Sequence, residues 1–469
     1  MVETQKSYSR ILAEFVTGLK YQDIPSEVVN KVKDHILDTV GCLLAGSTTD
    51  WMKQVNSVAK RLGGSPEATL IGDGTRVGVA NAAMANGTLG RALDLDDTHF
   101  RPWEHVSAYV VPTAFTVGEW LGKSGKDVIT AAVAGYEVAC RVGLAKFRDR
   151  LFMHDPSLGN IDVSPTHQAG ALFATSVETG KLMELDAGLV TSAMGFAGGM
   201  GLFLMQSHRE KAQGMPFNAG WAAHAGVVAA MIADSGLKGP QQVFEGDRGY
   251  FQALVVPNPH DMSRLVENLG TTWECALGAI KLYPAGHGTH YFLNSIKALM
   301  LEGLRAEDIL EINCHVPRVR VEWHFSPKEK AYHPEPYDAR FSLPYLLAAL
   351  LVDGYVGVRS FTEEKVHDPR ILDLAGRVTY TLDEEAWLPE DRGYTVVKTS
   401  DGRTLERKTP HSQFPGTPEN PASREDILRK FRDNASFVLS GSATEKLLET
   451  LETLEDVGNV AKVMRMLVA

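Results

Sequence analysis

DVITAAVAGYEVACRVGLA, residues 127–145, decides the class of fold. The run reads as one helix dense in Ala, Val and Gly. Small residues at that density let neighbouring helices approach closely, as a compact all-α body requires. Glu137 and Arg141 stand one turn apart and are expected to pair on the helix surface. The same texture returns at 168–178, 185–205 and 218–233. Earlier, over 26–45, Val28, Val29, Val32, Ile36, Val40, Leu43 and Leu44 share one helical face, and Gly46 follows as a stop. Helical texture holds to about residue 240.

After about residue 265 the pattern changes. Segments 309–319 and 377–386 alternate as strands do, and TVVKTSDGRTLERKT (395–409) reads as a hairpin turning at Asp401-Gly402. Helices are expected between them, at 289–303 and 342–354. Pro410, Pro415, Pro418 and Pro421 mark a linker or extended connection within 403–422, and 424–466 returns to helix. The chain is expected to leave a helical body, build an α+β module and come back.

The 469 residues include 47 Lys and Arg against 58 Asp and Glu, a formal charge of −11 with no basic run. Binding to nucleic acid or to an anionic membrane is therefore not expected, and an anionic substrate must find its cations locally. Cys42, Cys140, Cys275 and Cys314 are far apart and form no C-x-x-C pair, so neither zinc nor a redox dithiol is indicated. They read as reduced, buried thiols of a cytoplasmic protein. MVETQKSYSRILAEF lacks the build of a secretory signal, and the apolar windows 189–206, 222–233 and 343–352 read as buried helices rather than membrane spans.

Two segments carry the chemistry. In ALDLDDTHFRPWEH (92–105), read as helix, Asp94 faces Asp97 and Thr98, and Asp97 faces Arg101. Asp94, Asp96, Asp97 and Glu104 then crowd with His99, Arg101 and His105, which is costly unless they satisfy one another or bind something. The plain alternative is a solvated helix end. A metal would need a second facing acidic cluster; 383–385 and 449–456 lie in other parts of the chain, so none is expected. In KLYPAGHGTHYF (281–292), Lys281 precedes a rigid turn bearing His287 and His290. It could anchor a carboxylate or donate a proton, the alternative being an idle surface loop. Phosphate-loop, dinucleotide and Gly-x-Ser-x-Gly patterns are not met.

Together GCLLAGS (41–47), ANGTLGRALDLDDTH (85–99), EH-x-SAYVVP (104–112), GKSGKDVITAAVAGYEVACRVG (122–143), KLYPAGHGTH (281–290) and DARFSLPYLLAALLVDG (338–354) resemble the MmgE/PrpD family nearly end to end. The resemblance implies a mainly α fold, with a large all-α helical domain formed by both chain ends, 1–266 plus 410–469. A smaller α+β lid domain, 267–409, is inserted between them. It further implies a homodimer, an interdomain pocket and no cofactor. Asp94, Thr98, His105 and Lys281 match the family's active-site positions. Ser164 stands where a histidine is common, with His167 three residues on, and Met215 stands where a lysine is common. His208, Arg209 and Lys211 lie just upstream and could compensate. Thr98, Ser164, His167, Lys211 and His287 are the expected substrate contacts.

The family's shared step moves a proton to or from a carbon beside a carboxylate, which needs a base near carbon and positive charge at the oxygens. His105, with an unperturbed pKa of about 6.5, would carry the proton, and Lys281 and Thr98 would meet the charge. Asp94 would orient the histidine or act as base. A dehydratase-like lyase of a small di- or tricarboxylate leads, and the missing histidine and lysine favour a substrate with fewer carboxylates. An epimerase of an iminodisuccinate-like substrate and a non-catalytic binding relative are the alternatives.

Overall fold

The computed structural model describes residues 7–146, 168–201, 203, 206–210, 212–254, 260–317, 321, 323–325, 328–383, 393–410 and 413–468. It is mainly α. Helix Ser26–Gly46 buries the apolar face that its spacing sets out, from Val28 to Leu44. Helix Gly125–Ala145 opens on a capping box, in which Ser124 Oγ accepts from Asp127 N and the Asp127 carboxylate accepts from Ser124 N. Among the described residues it is the one helix long and apolar enough to cross a membrane, yet 94% of its apolar window is buried inside the fold.

The Glu137–Arg141 pair forms, at 3.4 Å, but inside the protein rather than on a helix surface. Arg141 donates to the carbonyls of Glu267 (2.7 Å) and Thr272 (3.0 Å), and Glu137 accepts from Cys275 N (2.9 Å). The pair thus clamps the segment 267–275 to the helix, which explains why two charged groups can lie in apolar surroundings.

Helix Gly214–Asp234 packs against Val79–Gly90, Ala171–Leu182 and Ala187–Ala197. The approach is close enough that a Cβ on Gly220 would lie 2.0 Å from Thr88 Oγ1 and 2.2 Å from Met84 O. Helices Arg424–Ala435 and Gly441–Glu452 return to pack on Ser26–Gly46, and Ala461–Met466 packs on Ser107–Leu121. One apolar cluster therefore takes residues from Leu12 to Ile280 and again from Ile427 to Leu467.

A second cluster, from Tyr283 to Phe414, packs on one face of a four-stranded sheet. Its order is Val378–Leu382, Ile309–Val316, Gly393–Thr399, Thr404–Thr409; the first pair is parallel and the others antiparallel. Ile309, Ile312, Cys314 and Val316 point to the buried face, where His290–Leu301 and Leu343–Asp353 lie. The hairpin turns at Asp401-Gly402, with Gly402 at φ 88°. Thr404–Thr409 is the expected second strand of that hairpin and forms an edge of the sheet, so the linker expected within 403–422 begins only after it. The two-residue strands Ala68–Thr69 and Arg76–Val77 are too short to show a period in sequence.

Gly220→Ala is expected to destabilise the protein by roughly 1–3 kcal/mol, because the added methyl meets backbone and a buried hydroxyl. An unchanged denaturant midpoint would contradict this packing.

Candidate active site

Residues 91–106, which join Val79–Gly90 to Ser107–Leu121, are not helical, contrary to the helical reading of 92–105. Asp94 and Trp103 have φ of 50° and 59°, which breaks any helix, and the loop's polar groups are taken by tertiary partners instead. Thr98 exchanges both backbone hydrogen bonds with Ala279, and His99 does so with Glu104. Three successive carbonyls accept from buried cations: Leu93 O from Arg340 Nε (3.1 Å), Asp94 O from Lys281 Nζ (3.0 Å) and Leu95 O from Lys430 Nζ (2.9 Å). Asp94, Asp96, Asp97 and Glu104 are all buried, so the solvated helix end is overturned.

Asp97 fixes the loop to the next helix. Its carboxylate accepts from Ser107 N (2.9 Å), Ser107 Oγ (2.8 Å) and Tyr136 OH (2.7 Å). Burial pushes its pKa up to about 6 against those donors. On the far side His99 and Arg101 share Glu274, at 3.1 and 2.6 Å. Burial likewise raises Glu104 to about 8, against the nearby charge of Lys146 and a hydrogen bond from Gly170 N.

Above this base lies a cleft lined in part by Asp94, Thr98, His105, Lys281 and His287. Lys281 Nζ is 3.1 Å from Asp94 Oδ1. His105 Nδ1 lies 2.7 Å from Asp97 O, to which it donates, and this makes Nε2 the basic nitrogen. The carboxylate beside Nδ1 is Asp96 (3.2 Å) rather than Asp94, the residue that sequence reading offered as the histidine's orienter. Burial and the charge of Arg91 lower the His105 pKa below its ordinary value, so the imidazole rests neutral. Asp96 is held well below the usual carboxylate range: burial raises it, but Lys281, Arg91 and His105 outweigh that. His287 and His290 are buried, not idle on a surface loop, and burial keeps His290 well below its normal pKa.

The structure therefore brings Asp94, Thr98, His105, Lys281 and His287 to one cleft. Ser164, His167 and Lys211 lie outside the described residues, as do the side chains of His208 and Arg209. Met215 is buried in helix Gly214–Asp234 and does not line the cleft. Sequence reading missed Arg91, Trp103, Trp323, His324 and Phe341, which also line it. Only Arg91 carries a local signal, one helical turn before Asp94; Trp323 and His324 sit in a stretch with no period. Among the described residues, no group of three or more His, Cys, Asp or Glu is arranged to hold a metal ion.

Comparison with known proteins gives a consistent result. The MmgE/PrpD N-terminal domain model matches residues 10–263, and the MmgE/PrpD C-terminal domain model matches 283–456. Cis-aconitate decarboxylase of Aspergillus terreus is 26% identical, covering 97% of this chain and 95% of that protein. The Homo sapiens cis-aconitate decarboxylase is also 26% identical, over 96% and 92%. That of Mus musculus is 26% identical, over 98% and 93%.

The raised pKa of Glu104 has a definite pH signature. Its folded value of about 8 lies above the ordinary 4.5, so its contribution is full below about pH 4.5 and is lost as pH rises through 8. Glu104→Gln is expected to melt roughly 2–4 °C above the parent at pH 8.5, with the gap closing toward pH 5. A constant gap across this range, followed by circular dichroism, would remove Glu104 from the account.

Proposed function

The chain belongs to the MmgE/PrpD family, and on that premise we propose a cofactor-independent lyase that moves a proton at a carbon beside a carboxylate of a small tricarboxylate. The observation that carries this reading is the cleft itself, where the Lys281 ammonium stands over Asp94 next to a neutral His105. The names of the relatives favour decarboxylation over the dehydration that sequence reading put first.

Loss of carbon dioxide breaks a carbon–carbon bond and leaves its electron pair on carbon, delocalised into a neighbouring carboxylate. Lys281, with Thr98 as hydroxyl donor, meets the charge that grows on those oxygens. His105 then delivers a proton to carbon. Neutral at rest, it becomes protonated when an anionic substrate settles beside it, because adjacent negative charge favours the imidazolium. Asp96, 3.2 Å from Nδ1, works in the same direction. Asp94 keeps Lys281 in place through its carboxylate and its carbonyl oxygen. In this reading 267–409 form a lid over a helical domain of 1–266 plus 410–469; the existence of two separate apolar cores supports a two-part division, although the first core reaches Ile280 and the second reaches Phe414. A cytoplasmic homodimer completes it.

The test is cis-aconitate in deuterium oxide followed by NMR. One deuterium on carbon together with carbon dioxide release is expected. Deuterium wash-in without carbon dioxide would instead identify an epimerase, and no turnover across a panel of di- and tricarboxylates would overturn catalysis. Lys281→Ala and His105→Gln should each lower kcat about 10²- to 10³-fold; full turnover by either would sink its assigned role.

A further inference from the structure

We propose that Arg91 is a second carboxylate anchor of this site, taking a different carboxylate of the substrate from the one that faces Lys281. The inference rests on the polycarboxylate reading above and adds to it the residue that selects for more than one carboxylate.

Arg91 caps the C-terminal end of helix Val79–Gly90 and is only 4% exposed, yet it lines the cleft beside Asp94, Thr98, His105 and Lys281. Its Nη1 is buried and has no hydrogen-bond partner among the described residues. Its charged neighbours stand outside hydrogen-bond reach: Asp94 Oδ1 is 3.7 Å from Nη2, and Asp96 Oδ2 is 3.6 Å from Nε. The other buried cations here are occupied. Lys281 donates to Asp94, Arg340 to Leu93 and Pro336, and Lys430 to Leu95 and Lys281.

A guanidinium has five donors in a planar fork, and buried donors are rarely left unmet. A carboxylate is the ligand that fits such a fork, with two parallel charge-assisted bonds. Asp94 and Asp96 stand beside Nη2 and Nε and keep the charge in place, which leaves Nη1 for an incoming anion. Asp94 Oδ1 is the common neighbour of both cations, 3.1 Å from Lys281 Nζ and 3.7 Å from Arg91 Nη2. Lys281 and Arg91 are therefore close enough to hold two carboxylates of one small acid.

The experiment is calorimetric titration with tricarballylate, a saturated tricarboxylate, against the full-length protein and its Arg91→Gln and Arg91→Lys variants. Arg91→Gln should raise Kd roughly 10- to 100-fold. Arg91→Lys should raise it by less but measurably, because lysine keeps the charge and lacks the fork. Wild-type affinity in Arg91→Gln overturns the proposal. So does wild-type affinity in Arg91→Lys, which would mean that Arg91 is only a counter-ion to Asp94 and Asp96. If Arg91→Gln fails to fold, Arg91→Lys alone decides by the same criterion. No binding of tricarballylate or cis-aconitate by the unaltered protein would sink the polycarboxylate reading and this inference with it. Binding that ignores both substitutions sinks this inference alone.

Discussion

Three neighbouring peptide oxygens, on Leu93, Asp94 and Leu95, are each gripped by a cation from a distant part of the chain. The rest of the site depends on this grip. The loop holds Lys281 twice, through the Asp94 carbonyl oxygen, which solvates the ammonium, and through the Asp94 carboxylate, which balances its charge. The same bonds hold Asp94 in a left-handed conformation, which costs a side chain of this kind about 1 kcal/mol or more. Strain of that size persists only where the surroundings over-determine the geometry, and here three donors and the Thr98–Ala279 backbone pairing do so.

The electrostatics are local. The chain as a whole carries −11, yet Arg91, Lys281, Arg340 and Lys430 converge on one short loop together with Asp94 and Asp96. Breaking a buried pair by removing one member costs about 3–5 kcal/mol, since the survivor is left charged and dry. The cluster is therefore balanced as a unit. Carboxylates that enter it find cations already oriented rather than drawn from solvent, which limits the reorganisation needed when charge moves during reaction.

Much of the architecture is legible in the sequence because its signals are local. The apolar face of Ser26–Gly46 and the Asp401-Gly402 turn both reappear in the structure, where periodicity and turn chemistry act over a few residues. The loop 92–105 is misread for a physical reason. Carboxylates three and four apart also suit a helix, and nothing nearby reveals that its carbonyls bind Lys281, Arg340 and Lys430. Glu137 and Arg141 show the same limit: their pairing is local, but their burial is decided by Glu267, Thr272 and Cys275. Lys281 and His105 stand out through family motifs as much as through chemistry. Arg91 went unread because an arginine at a helix end is ordinary until its surroundings are known.

Lys430 lies in helix Arg424–Ala435, which packs on Ser26–Gly46, and its ammonium holds the backbone of both Leu95 and Lys281. Every wall residue of the crevice is translated well before it. A nascent chain that has emerged only through the sheet thus owns all the side chains of the crevice but not the tether that sets their spacing.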